Sequence, residues 1–105
     1  MKTGNIFKSI PEDPDNEITE LLAQNKKVKI ERIISKGHTS PATGWYDQET
    51  DEWVLLLKGA AIITFENGTE LNLKTGDHVN IPANTKHKVK WTDPDIATVW
   101  LAIHY

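Results

Sequence analysis

The sequence has no cysteine among its 105 residues. That removes disulfides, thiolate nucleophiles and cysteine-bound zinc or iron–sulfur centres together, so any metal must be held by nitrogen and oxygen. Long apolar runs are missing as well. No segment approaches the roughly 20 apolar residues of a membrane span. The opening MKTGNIFKSIPEDPDN has no apolar stretch of the kind a secretory signal carries. The expectation is a soluble, cytoplasmic protein with no membrane partner. Positive charge is not in excess either, since the formal net charge is −3. Binding to a phosphate backbone wants a clustered positive face, so nucleic acid is not expected as a partner. Internal repeats, low-complexity tracts and linkers are absent.

What is present suits one domain. A chain of this length buries roughly 60–70% of its unfolded surface, enough for a core without covalent staples. The first fifteen residues read as irregular, because PEDPDN combines two prolines with three acids. Asn16 is placed to cap a short helix over EITELLAQN, with Ile18, Leu21 and Leu22 on one face. The chain then changes character. KKVKIERIIS alternates, with Val28, Ile30 and Ile34 against Lys29 and Glu31, which is a strand pattern. KGHTSPATG reads as a loop. Residues 45–48 and 52–58 read as strands around an acidic turn. AAIITFENGTELNL reads as a hairpin turning at Asn67-Gly68, with positive φ expected at both residues. HVNIP, KHKVKW and ATVWLAIHY follow as strands. One short helix over part of residues 1–27, then seven or eight short strands over residues 28–105, predicts an all-β sandwich or closed barrel. The last strand is apolar on both faces, so the N-terminal segment or a second subunit must cover one of them.

Four polar residues stand out against this apolar background. Period-two geometry points His87 inward with Val89 and Trp91, because Lys86, Lys88 and Lys90 take the other face. Tyr46 and Gln48 are two apart and share a face. Glu52 opens a strand of almost unbroken apolar residues, where a carboxylate is costly to bury without a partner or a metal.

At these residues the sequence resembles the cupin superfamily of small jelly-roll barrels. The family's first motif has a histidine pair, then a glutamate, then a glycine. Glu52 and Gly59 fit the spacing, and the pair falls on Tyr46 and Gln48. The second motif appears in GDHVNIPANTKH, where Gly76, Pro82 and His87 are in register. Asn84 stands where a glycine is expected, and Trp91 where an asparagine is expected. The resemblance implies a single jelly-roll β-barrel over residues 28–105. It also implies a site that takes a divalent metal (Mn, Fe, Ni or Zn) on the motif residues, here Gln48, Glu52 and His87. Members of the family are usually dimers, so a homodimer is expected. The resemblance implies a fold more than an activity.

The residues themselves leave the occupant open. One imidazole, one carboxylate and one neutral amide make a poor centre for a first-row metal, and Tyr46 would ligate only as a phenolate. Glu52 and His87 are equally suited to acid–base chemistry on a small organic substrate, with or without an ion. Polar groups converging in an apolar barrel are also the usual form of a small-molecule site, with Tyr46 and Trp91 as ligand-contacting walls. A non-catalytic binding barrel, or a metal-free structural dimer whose polar cluster satisfies itself, uses the same residues. His38 reads as a solvated loop residue, and His78 and His104 as surface or subunit contacts. Trp45, Trp53 and Trp100 read mainly as core. The acids Asp47, Glu49 and Asp51 read as a solvated turn, since they lack the glycine and spacing of a calcium loop.

Overall fold

The runs read as strands from residue 28 onward are, with one exception, strands. The computed structural model describes all 105 residues. It holds eight strands and no helix: β1 (Ile18–Gln24), β2 (Lys29–Ser35), β3 (Glu52–Lys58), β4 (Ala60–Phe65), β5 (Glu70–Lys74), β6 (His78–Ile81), β7 (His87–Thr92) and β8 (Thr98–His104). They form a five-stranded sheet in the order β1-β2-β8-β3-β6 and a three-stranded sheet in the order β5-β4-β7. The arrangement is two separate sheets rather than one continuous closed ladder. Their inner faces meet in a core of Val54, Leu56, Ala61, Ile63, Leu73, Ile81 and Trp100.

The helix expected over residues 16–25 does not form. Its residues make β1, which pairs antiparallel with β2 from Ile18↔Ile34 to Gln24↔Lys29. Glu, Leu, Ala and Gln favour helix intrinsically, but that preference is a fraction of a kcal/mol per residue and yields to a sheet edge. A register shift between Leu21 and Ala23 interrupts the alternation, and Leu21 and Leu22 stay exposed. Residues 45–48 are not a strand either. They contribute a single antiparallel bridge, Tyr46↔His87.

The hairpin at Asn67-Gly68 forms by a different turn from the one expected. Only Gly68 has positive φ, at 91°. The Gly68 N–H donates to Phe65 O and the Phe65 N–H donates to Thr69 O, both over 2.9 Å. This is a longer loop with glycine in the left-handed position, a common alternative to the two-residue turn.

β8 lies between β2 and β3, which accounts for its apolar character on both faces. Trp100 and Ala102 face the core, while Leu101 is level with Arg32 on β2 and Leu55 on β3 on the outer face. Arg32 is buried, and its guanidinium donates to the carbonyls of Ile6 and Lys8 and to Glu20. One buried cation thus lashes the irregular N-terminal segment across the outside of the sheet, one of the two covers expected for β8.

β3 and β4 are joined by Gly59, whose φ is +104°, and an added Cβ would lie 2.7 Å from Thr98 Cα. Both the backbone conformation and the close approach exclude a side chain. Gly59→Ala is therefore expected to lower stability by more than about 1 kcal/mol. In a domain of this size that lowers the melting midpoint by about 4 °C or more, readable by thermal denaturation.

Candidate functional site

The site is assembled by three backbone alignments. First, Tyr46 and His87 exchange both backbone hydrogen bonds, at 2.8 and 3.1 Å, so their side chains leave the same face. Their rings lie 5.6 Å apart. Second, Asn84 adopts φ of 59°, and its N–H donates to Gln48 O over 2.7 Å, which holds Gln48 beside the turn leading into β7. Third, Lys29, His104, Glu52 and Ile81 form one row across β2, β8, β3 and β6. These alignments line a cavity of about 510 Å³ with Tyr46, Gln48, Glu52, His87, His104 and Trp100 among its walls.

His87 is buried, and its Nδ1 lies 2.7 Å from the Thr85 carbonyl. A carbonyl only accepts, so Nδ1 carries a proton. The other ring nitrogen, Nε2, sits 3.3 Å from Glu52 Oε1. Two lone pairs would repel there, so a proton between them makes the contact attractive. Burial alone would lower the His87 pKa. The hydrogen bond to Glu52, the Thr85 carbonyl and the Glu52 charge together outweigh burial and raise it above the usual 6.5. Glu52 is itself buried and in reach of a second imidazole, His104 Nε2, at 3.8 Å from Oε2. His104 Nε2 also lies 2.9 Å from Glu31 Oε1 and donates to it. The result is a string of alternating imidazoles and carboxylates, His87–Glu52–His104–Glu31, along the cavity wall.

His104 and Glu31 are the residues that sequence reasoning missed. His104 was expected at the surface. It shares a face with Trp100, but only the pairing of β8 with β3 reveals that this face lines the cavity. Trp91, in contrast, was expected inside and is 41% exposed. The reason is a register shift in β7. Ile62 pairs with Trp91 and Ile63 with Val89, so Lys90 is an extra residue. A bulge of this kind reverses the alternation beyond it, and Thr92 turns inward in place of Trp91. His38 and His78 lie outside the cavity wall. His38 Nδ1 accepts from the Lys36 N–H at 2.9 Å, and His78 lies against Trp53 at 5.5 Å. Asp51 is not merely a solvated acid, since it accepts the Ala83 N–H at 2.8 Å.

The expected metal ligands do not make a complete donor set. No three of His, Cys, Asp and Glu converge to hold an ion. His104 directs Nε2 at Glu31, and Gln48 offers only a neutral amide oxygen. Burial raises the Tyr46 pKa. The Ser40 hydroxyl opposes this, and the charges of Glu17, Glu52 and Glu31 add to the rise, which disfavours a phenolate. One imidazole and one carboxylate do not match a resident Mn, Fe, Ni or Zn centre. Two residues of the cavity wall, Gln48 and Trp100, each keep a buried polar atom without a protein partner, Oε1 and Nε1. They are an acceptor and a donor.

The His87–Glu52 pair makes stability depend on pH. The folded pKa of His87 is raised, so the pair's contribution is complete below about pH 6.5 and is lost as pH rises through the raised value. Denaturant midpoints of wild type and His87→Gln, measured from about pH 5.5 to about pH 9, are expected to differ most at the acid end. A gap that stays constant across the range would assign the effect to packing instead.

Comparison with known proteins agrees with this architecture. The cupin domain family model matches residues 32–104. No curated protein matches the sequence. Among solved structures, a protein of Ralstonia eutropha JMP134 named a candidate mannose-6-phosphate isomerase is 43% identical, with a TM-score of 0.93, over 99% of this chain and 97% of that one. A cupin superfamily protein of Desulfitobacterium hafniense DCB-2 is 23% identical, with a TM-score of 0.74, over 90% and 82% of the two chains. An RmlC-like cupin of Desulfovibrio desulfuricans is 19% identical, with a TM-score of 0.77, over 99% and 96%. With the motif spacing, the two-sheet fold and a family match that spans most of its length, the chain belongs to the cupin family.

Proposed function

We propose that this cupin binds a small oxygenated organic molecule in its interior cavity, with His87 and Glu52 as an acid–base pair facing it. The observation that carries the reading is a cavity of about 510 Å³ with His87, Glu52, Gln48 and Trp100 together in its wall. The cavity volume is in the range of small-molecule sites.

His87 keeps its Nδ1 proton on Thr85, which fixes the ring and leaves Nε2 as the exchanging atom. A ligand oxygen that reaches Nε2 would take the proton shared with Glu52, and Glu52 with His104 behind it would hold the compensating charge. That is the equipment for proton transfer to and from a carbonyl or hydroxyl group. The name of the Ralstonia neighbour suggests a class for such chemistry, the isomerisation of a phosphorylated sugar. A proton moves between adjacent carbons in that class without any change in the atoms of the substrate. The second reading is a binding barrel without turnover, which the same cavity would serve.

A panel of sugar phosphates and small hydroxy acids tests both readings by thermal shift and by turnover. A ligand at about 100 times its dissociation constant is expected to stabilise the fold by about 2.7 kcal/mol. His87→Ala and Glu52→Gln are expected to lose turnover by about 10²–10⁴-fold. Binding without turnover in the wild type selects the second reading. Metal analysis of untagged protein belongs with it: an equivalent of bound ion lost in His87→Ala would overturn the metal-free assignment.

The homodimer expected from β8 is also proposed. Ile30, Trp53, Leu55, Leu101 and Ile103 share the outer face of the larger sheet and are only half-buried. A second copy would cover them. Sedimentation at rising concentration is expected to show a dimer, and a persistent monomer removes the proposal.

A further inference from the structure

The mouth of the cavity differs in charge from its interior. Inside are the carboxylates Glu17, Glu31 and Glu52. At the mouth, the turn joining β1 to β2 contributes Lys26 and Lys27, and the start of β2 contributes Lys29, to the same cavity wall. Three of the twelve basic residues of a net-acidic chain therefore fall within four positions at one opening. Lys29 is partly neutralised by Glu31, 3.7 Å away. Lys26 and Lys27 pair with no carboxylate anywhere in the fold.

The turn that carries them is built rather than loose. Asn25 Oδ1 accepts the N–H groups of Lys27 and Val28 at 3.0 and 2.9 Å, and the Asn25 N–H donates to Val28 O at 2.9 Å. A side chain that mimics a turn in this way fixes where the following residues stand. The register does the rest. Lys29 is the first residue of the row that continues through His104 to Glu52. The cationic turn is thereby aligned with the imidazole–carboxylate string and lies at its open end. The buried Trp100 indole, 3% exposed with an unpartnered Nε1, lines the same cavity. It gives the interior a polar demand independent of the lysines.

These two features specify opposite ends of one ligand. We propose that the molecule bound here carries a single anionic group, a phosphate or carboxylate, held by Lys26 and Lys27 at the mouth. Its uncharged hydroxylated part reaches inward to Gln48, Trp100 and the His87–Glu52 pair. The acidic interior repels an anion, so the charged end stays outside and the ligand has one orientation. This deepens the proposed function and rests on its cavity being a binding site.

Calorimetric binding of mannose, mannose 6-phosphate and gluconate to wild type and to the double variant Lys26→Ala/Lys27→Ala separates the two claims. Both lysines are exposed, and an unchanged melting midpoint checks that the variant is folded. The expected result is that at least one anionic probe binds about 10-fold or more tighter than mannose. That preference is expected to fall several-fold in the double variant and to weaken in added salt, as an exposed charge contact does. Mannose binding as tightly as the anions, or an anion preference unchanged in the double variant, overturns the cationic mouth and leaves the proposed function standing. No binding of any probe removes the proposed function, and the inference with it.

Discussion

The pairing of β8 between β2 and β3 is the constraint on which the rest depends. Because directly opposed residues in an antiparallel ladder share a face, this pairing sets Lys29, His104 and Glu52 in one row. A slip of one residue would send every side chain of β8 to the opposite face. Trp100 and His104 would leave the cavity, and Leu101 and Ile103 would enter it. The core, the polar string and the cationic mouth therefore share one register. Gly59 protects it from the side, because β3 can pass Thr98 so closely only without a Cβ.

Within that frame the polar cluster is a problem of satisfaction. Burying carboxylates and imidazoles among Val54, Ile63 and Ile81 costs free energy unless each group meets a partner. The structure meets most of the demand in alternation, with each imidazole beside a carboxylate and each carboxylate beside an imidazole. Removing one member is expected to leave its neighbour without its partner. The structure stops short of complete satisfaction at Gln48 and Trp100. The same logic, completed, appears at Arg32, where carbonyls of the N-terminal segment and Glu20 take up a buried cation and the result is structural. Only its Nε remains without a partner.

Tyr46 and Gln48 show how a motif position can be retained while its chemistry changes. The backbone bridge to His87 still presents both side chains to the cavity, as it would present a histidine pair. A phenol and a neutral amide stand there in place of two imidazoles.

The sequence by itself determined the strands with clean alternation, the absence of thiol chemistry, the motif glycines and the inward direction of His87 and Glu52. These are properties of short stretches, where side-chain period and steric limits act within a few residues. Asn84 takes the positive φ of the glycine it replaces, which is also a local property. What only tertiary structure decided is whatever depends on a distant partner. β1 is a strand because β2 offers it an edge, against its own helical preference. Trp91 faces solvent because a bulge at Lys90 inserts one residue against β4. His104 and Glu31 join the site because β8 lies between strands that are far from it in the chain. Alternation states which residues share a face, but cross-strand pairing states where that face points, and pairing is a long-range interaction that one strand's residues cannot encode alone.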